Sequence, residues 1–184
     1  MAVPYQPSLL RLLHALTAAA VLLCWFTGAE VYSQFDGRWG RLPVQLPDAI
    51  DLHGSAGFLL KLVAVPFVLY AISLGRARLR RPGNAVALLA LLLSLGSGLL
   101  MNEDWLREGQ LHHLAYHLHL IGWLVLSGAV LWHGLAQLKR GGPALALSML
   151  QLRTRPGDTP VDWPDQLRRF FGFSSSSDPL GRSD

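Results

Sequence analysis

The residues in this chain best suited to chemistry are its histidines, because neutral imidazole binds transition metals and can carry a proton near neutral pH. Seven are present, and five fall in one stretch: His112, His113, His117, His119 and His133. The last four of these lie in, or at the mouth of, a long apolar segment. Because an ionisable side chain within a bilayer is costly, its presence there predicts a function.

Helical geometry selects one companion for His133 within its own segment. A helical residue turns by about 100° and rises by about 1.5 Å, so His119 lies within about 40° of His133 and roughly 21 Å from it. His117 and His113 are turned by about 160° and about 200°. His112 returns to within about 60°, but lies roughly 31 Å away, the full thickness of the hydrocarbon core. His119 and His133 are therefore predicted to share one helix face at two depths.

The composition indicates that these helices lie in a membrane. The chain is 51% hydrophobic and 15% charged, whereas a soluble domain has about 25% charged residues. Four apolar segments approach or exceed the ~20 residues that span a bilayer, and they cover residues 9–32, 53–74, 84–101 and 111–138. We predict an all-α, integral membrane four-helix bundle. The third segment also gathers small residues that favour close helix packing, namely Ser94, Gly96, Ser97 and Gly98.

The distribution of positive charge predicts the orientation of the bundle. Arginines at positions 76, 78, 80 and 81 join the second and third segments, and Lys139 and Arg140 follow the fourth. By the positive-inside rule these parts and both termini are cytoplasmic. The net charge of +4 then reflects contact with lipid headgroups, so the bilayer is an expected partner and nucleic acid is not. A cleavable signal peptide is the alternative for the first segment, although its length and His14 disfavour it.

Partners for His119 and His133 are expected on other helices at matching depth. His14 lies near the cytoplasmic start of the first segment and His53 opens the second segment at the outer side. Two pairs result, His14 with His133 and His53 with His119. Two separated imidazole pairs suit two six-coordinate haems in a four-helix bundle, whereas a single zinc or copper ion needs its ligands gathered at one place. With Cys24 as the lone cysteine, the haems would be held without covalent attachment.

These residues resemble the bacterial cytochrome b561 family and related di-haem cytochrome b membrane subunits. The resemblance covers about residues 5–140 and lies in the motifs Arg11-Leu-Leu-His14, Asp51-Leu-His53-Gly54, Leu114-Ala-Tyr-His-Leu-His119 and Leu131-Trp-His133. It implies a membrane electron carrier with two non-covalent b-type haems on opposite leaflets. The first and fourth helices would hold the cytoplasmic haem, and the second and fourth the outer one. The tail is similar to cyanobacterial members, so the expected location is a bacterial inner membrane or a thylakoid.

Other polar residues near these positions are weaker candidates. Arg11 precedes His14 by one helical turn and is expected to bind a propionate of the inner haem or to anchor the helix at the membrane surface. Lys61 is expected to neutralise a haem propionate or a quinone oxygen, the alternative being an ammonium that snorkels towards an interface. His117 or His112 stays an alternative to His119 as the outer ligand.

The expected organisation is a four-helix di-haem domain over residues 1–140, an interfacial amphipathic tail over 141–173 and a disordered end over 174–184. We expect transmembrane electron transfer between a quinol or redox protein and an acceptor. The alternative is a non-catalytic haem-containing anchor subunit of a larger redox complex, and a homodimer is also compatible with the sequence. The sequence indicates no substrate pocket, so it does not settle whether the protein is an enzyme.

Overall fold

The fold, taken from a computed structural model, is described for residues 4–43, 45–101 and 110–170, and all its regular secondary structure in those ranges is helical. Four long helices are apolar enough to cross a membrane: α1 (Ser8–Phe35), α2 (Ala49–Ile72), α4 (Pro82–Met101) and α5 (Gln110–Leu147). Two shorter helices are α3 (Arg76–Leu79) and α6 (Trp163–Phe170), and 3-10 turns cover Ser148–Leu150 and Pro160–Asp162. The four predicted spans and the all-α class are confirmed.

Two helices run farther than the apolar segments predicted. α1 continues to Phe35 and stops where Gly37 takes a left-handed conformation, with its amide 2.8 Å from the carbonyl of Tyr32, a common helix ending. The connection between the first two predicted segments, residues 33–52, is therefore shorter and covers 36–48. α5 continues to Leu147 with a kink at Gly142, where positive φ and the following Pro143 interrupt the hydrogen-bond ladder. The first part of the tail expected over 141–173 is thus the end of α5 followed by a 3-10 turn.

The bundle consists of two helical hairpins. α1 packs along α2 and α4 along α5, while the backbones of the two hairpins approach each other mainly through α2 and α4. Small side chains permit the close approach of these helices, and the core is formed by Ala20, Leu60, Ala64, Ala90, Leu91, Leu126 and Ala129. Large side chains make the contact between α1 and α5, where Trp25 stacks on Trp123. The candidate histidines of α5 face His14 on α1 and His53 on α2.

The bundle is apolar outside and carries small polar groups inside. Phe26, Leu89 and Leu131 are each more than 60% exposed, whereas Thr27 and Ser97 are 4% exposed. Exposed large hydrophobics over a whole helix bundle would be unfavourable in water and are what a hydrocarbon environment requires. We call the end with the 36–48 loop the outer end, and the end with the N-terminus and α3 the inner end.

The segment after α5 returns to the start of α1. The carboxylate of Asp158 accepts hydrogen bonds from the Tyr5 hydroxyl, from the Ser8 amide at 2.8 Å and from the Ser8 hydroxyl at 2.9 Å, and the indole of Trp163 donates to Ser8 Oγ at 2.8 Å. α1 begins after Pro7, has no side-chain cap of its own and no acidic residue in its first turn. Asp158 therefore supplies the negative charge that a helix N-terminus favours. The end expected to be disordered, residues 174–184, lies outside the described residues.

Candidate functional site

Four of the predicted site residues form two close imidazole pairs. The ring centroids of His53 and His119 are 6.0 Å apart near the outer end, and those of His14 and His133 are 6.3 Å apart near the inner end. Two imidazoles that share one metal through bonds of about 2.0 Å have ring centroids about 6 Å apart. Both pairs have this spacing, so each is compatible with a metal centre between its two rings.

Two hydroxyl groups orient the imidazoles of the outer pair. Thr27 Oγ1 lies 3.0 Å from His53 Nδ1, and Ser97 Oγ lies 3.0 Å from His119 Nδ1. Each hydroxyl also donates to a carbonyl one turn earlier in its own helix, at 2.9 and 2.8 Å respectively. Because a hydroxyl has a single hydrogen, its oxygen must accept from the imidazole. Nδ1 therefore carries the proton, and Nε2 keeps the lone pair that a metal needs.

A glycine beside each hydroxyl makes room for the ring. A Cβ atom on Gly28 would lie 3.1 Å from His53 Cε1, and one on Gly98 would lie 3.2 Å from His119 Cε1. Each outer imidazole thus rests against the backbone of the preceding long helix. Ser97 and Gly98 were predicted to serve helix packing, and Thr27 and Gly28 were not predicted to belong to the site. The sequence pattern that could have identified this contact is a hydroxyl residue followed directly by glycine. It occurs in both long helices that precede the helices of His53 and His119.

The inner pair is supported differently. Phe67 packs edge-on against His14 with centroids 6.1 Å apart. His133 Nδ1 is buried and has no hydrogen-bond partner in the described part of the chain. Leaving such a group unpaired costs about 1–3 kcal/mol. A polar group bound at this level would offset that cost.

Arg11 has unpaired donors directed into the protein. Its side chain is 5% exposed, its guanidinium lies 5.1 Å above the Tyr5 ring, and Nη2 donates to the carbonyl of Arg153 at 2.9 Å. Its Nε and Nη1 atoms are buried without a partner among the residues described. A buried guanidinium favours an anion, and a haem propionate at the level of His14 would supply one. The residues at the inner level therefore fit haem.

The remaining candidates lie elsewhere. His117 is exposed and its Nδ1 donates to the carbonyl of His113 at 2.6 Å, so the ring beside His53 is that of His119. The side chain of His112 lies outside the described residues. Lys61 Nζ lies 5.6 Å from the ring centroid of Phe58, which is 59% exposed. This contact is typical of a snorkelling lysine, and the role of Lys61 at a propionate or quinone stays a prediction.

An ion pair lies at the outer end of the bundle. The guanidinium of Arg38 donates to both carboxylate oxygens of Asp36 at 2.6 and 2.7 Å, and the Tyr116 hydroxyl donates at 2.6 Å. The bonds from Arg38, followed by that from Tyr116, hold the pKa of Asp36 well below its usual range. Asp36 is therefore ionised at neutral pH and is already paired.

Two imidazole pairs thus lie at two levels of an apolar bundle whose four long helices can cross a membrane. The described residues contain no cluster of three or more His, Cys, Asp or Glu side chains that could bind a metal ion alone. A family model described as prokaryotic cytochrome b561 matches residues 5–151, and the chain belongs to this family. It is an integral, multi-pass membrane protein and a haem-containing electron carrier of the b type. No curated protein and no solved structure matched the chain.

Proposed function

We propose that the protein carries electrons across the membrane through two non-covalent b-type haems. His14 and His133 would hold the haem at the inner level, and His53 and His119 would hold the haem at the outer level. The observation that supports this most strongly is the separation of the rings, 6.3 and 6.0 Å between centroids, because a direct hydrogen bond between two imidazoles would bring them about 1 Å closer.

The side chains around each level have distinct tasks in this proposal. Thr27 and Ser97 hold the outer imidazoles in the tautomer that binds iron. Arg11 neutralises a propionate and so favours retention of the inner haem. The apolar helices exclude water from the two levels. This exclusion, together with the histidines that would hold each haem, sets the reduction potential of the haems. When bound, haem supplies reversible one-electron chemistry.

The two levels lie in opposite leaflets. His119 and His133 are fourteen residues apart on α5, which corresponds to roughly 21 Å along the helix axis. With the arginine-rich segment around α3 in the cytoplasm, the pair His14 and His133 is the cytoplasmic one. An electron moving between the pairs then crosses most of the hydrocarbon core. A quinol or a redox protein is the proposed donor.

The anchor-subunit alternative is supported by one feature. Arg76, Arg80 and Arg81 are exposed at the inner end and would suit the docking of an acidic soluble subunit. Co-purification of a stoichiometric partner under mild detergent conditions would favour this alternative, and a chain that exchanges electrons by itself would favour the free carrier.

The ligand assignment is tested by haem counting. The purified protein and its His14→Ala, His53→Ala, His119→Ala and His133→Ala variants are compared by reduced-minus-oxidised spectra and haem-to-protein ratio. The matched control is His117→Ala, an exposed histidine on α5. We expect two haems in the wild type and the control, and loss of one on changing either member of a pair. A colourless wild type, or haem loss in the control but not in His119→Ala, would refute the assignment.

A further inference from the structure

A cavity lies at the inner end of the bundle, apart from both imidazole pairs. It has a volume of about 750 Å³ and opens between Tyr5 and the segment 151–156 that follows α5. This volume is within the range of small-molecule sites, about 300–1,000 Å³. Because α1 begins at Ser8 and α5 ends at Leu147, the cavity lies at the level where membrane-crossing helices meet the lipid head groups.

Two arginines line this cavity without an acidic partner. Arg153 and Arg155 are exposed, and neither side chain forms an ion pair or donates a hydrogen bond within the part of the chain that the structure describes. The nearby carboxylate of Asp158 is already occupied by hydrogen bonds from Tyr5 and Ser8. A guanidinium has five donors in a planar arrangement that matches the oxygens of a phosphate group. The cavity therefore favours an anion of this kind.

The segment that carries these arginines is held in place by the start of the chain. The guanidinium of Arg155 lies 4.2 Å above the Tyr5 ring, and the Arg155 amide donates to the Tyr5 hydroxyl at 3.3 Å. The Arg153 carbonyl accepts from Nη2 of the buried Arg11 at 2.9 Å. A segment fixed in this way loses less conformational entropy when a ligand binds. The cavity is thus formed before an anion enters it.

An apolar surface adjoins the two arginines. Leu152 lines the cavity and is 96% exposed, and Leu150, two residues earlier, is 69% exposed. Side chains of this kind gain free energy when acyl chains cover them at the boundary of a bilayer. Free phosphate would leave both leucines uncovered, whereas a phospholipid covers them with a chain while its phosphate meets the arginines. The combination therefore favours a lipid over a soluble anion.

We propose that this cavity binds the head group of an anionic phospholipid, with the phosphate between the two arginines and an acyl chain along the two leucines. Basic pockets between membrane helices hold anionic lipid head groups in the same way. Gln151 and Thr154 also line the cavity and supply neutral hydrogen-bonding groups for head-group hydroxyls. Because Tyr5 precedes α1 and Arg153 follows α5, the lipid bridges the start of the chain and its tail. The binding is independent of the proposed electron transfer.

The test is lipid binding to the purified holoprotein in detergent, measured by native mass spectrometry with dioleoyl-phosphatidylglycerol or dioleoyl-phosphatidylcholine. We expect the first phosphatidylglycerol to bind more tightly than phosphatidylcholine. Arg153→Gln removes the cation but keeps the backbone carbonyl that accepts from Arg11, and it should weaken phosphatidylglycerol binding by about tenfold. Arg153→Lys keeps the charge and should retain most of the affinity. The matched control is Arg80→Gln, which removes the same charge from an exposed position at the inner end and should bind as the wild type does.

Hydrogen exchange gives a second measurement, in which phosphatidylglycerol, but neither phosphatidylcholine nor inorganic phosphate, should slow the exchange of the amides in residues 151–158. Three results would overturn the site. Equal affinity of Arg153→Gln and wild type would show that the arginine does not meet the lipid. An equal loss in Arg80→Gln would reduce the effect to the overall charge of the inner end. Equal protection by inorganic phosphate would mean a phosphate site that takes no lipid.

Discussion

At the scale of single residues, the hydroxyl groups of Thr27 and Ser97 decide how the outer imidazoles present themselves. Each hydroxyl accepts a hydrogen bond from an imidazole Nδ1–H and donates one to a helix carbonyl. These two consecutive hydrogen bonds fix both the tautomer and the rotation of the imidazole ring without adding a charge to the membrane interior. Loss of such a partner lowers metal affinity by about 10–100-fold in comparable sites.

Thr27→Val should therefore weaken the outer haem selectively. Valine keeps the shape of threonine but cannot accept the hydrogen bond from His53. We expect the haem-to-protein ratio to fall towards half of the wild-type ratio on dilution or gel filtration, with the inner haem retained. The control is Thr17→Val, because Thr17 is equally buried on α1 but its hydroxyl bonds the Val63 carbonyl. Equal haem loss in both variants would assign the effect to helix packing.

Gly98→Ala should disturb the outer imidazole pair from the hairpin that α4 and α5 form. The added methyl group would lie 3.2 Å from His119 Cε1, so the ring must move by a few tenths of an ångström. We expect a destabilisation within the usual range for overpacking, about 1–3 kcal/mol, and a shifted absorption band or potential of the outer haem. At Gly96, two residues earlier, a Cβ meets nothing within 4 Å, so Gly96→Ala should leave the spectrum unchanged.

At the scale of elements, the start of α1 depends on a residue from the far end of the chain. Asp158 accepts from the Ser8 amide and hydroxyl, and Arg155 lies 4.2 Å above the Tyr5 ring. Burial raises the pKa of Asp158, but the hydrogen bonds from Tyr5, Ser8 and Gln166 outweigh it, so the pKa lies below its usual value. The contact between the tail and α1 therefore favours the ionised carboxylate.

Asp158→Asn should loosen the tail. Asparagine removes the negative charge beside the N-terminus of α1 and replaces one of the two accepting oxygens with an NH2 group. Loss of the charge alone costs about 0.3–1 kcal/mol, which raises the undocked fraction by about two- to fivefold. Tryptic cleavage after Arg153 should accelerate accordingly. Asp165→Asn is the control, because the Asp165 carboxylate pairs with exposed Arg168 on α6. Unchanged cleavage in Asp158→Asn would show that the tail is held by other contacts.

The pH dependence of cleavage gives an independent check on the same contact. Because the pKa of Asp158 is lowered by folding, its stabilisation is present above the ordinary carboxyl value of about 3.9 and is lost as the pH falls through the lower folded value. Tail docking should therefore be constant at neutral and mildly acidic pH, as judged with an acid-tolerant protease, and should weaken only in strong acid. Release near the ordinary pKa of histidine would contradict this assignment.

At the scale of the whole molecule, topology follows from charge. Arginines cluster around α3 and basic residues follow Leu138, so these parts should stay in the cytoplasm. We expect a C-terminal fluorescent-protein fusion to be fluorescent and a periplasmic phosphatase fusion at the same point to be inactive. A phosphatase inserted in the 36–48 loop should be active. The reverse pattern would place the pair His53 and His119 on the cytoplasmic side and the pair His14 and His133 on the opposite side.

The bundle and its histidines were predictable because hydropathy and helical periodicity act locally. The face shared by His119 and His133 follows from their spacing alone, and depth matching then selects His14 and His53. The contacts of Thr27 and Ser97 were not predictable in the same way, since small polar residues within a span serve packing as often as hydrogen bonding. Asp158 was missed because its partners Tyr5 and Ser8 lie about 150 positions away in the chain.

The cap that Asp158 places on α1 has a consequence for biosynthesis. A ribosome delivers α1 to the membrane first and Asp158 long afterwards, so the first turn of α1 lacks its cap during most of translation. The four histidines are all synthesised by residue 133, whereas the surroundings of Arg11 are completed only when the Arg153 carbonyl and Asp158 arrive. The outer level can thus be assembled while the chain is still growing, and the inner level is completed only after residues 153–158 have left the ribosome.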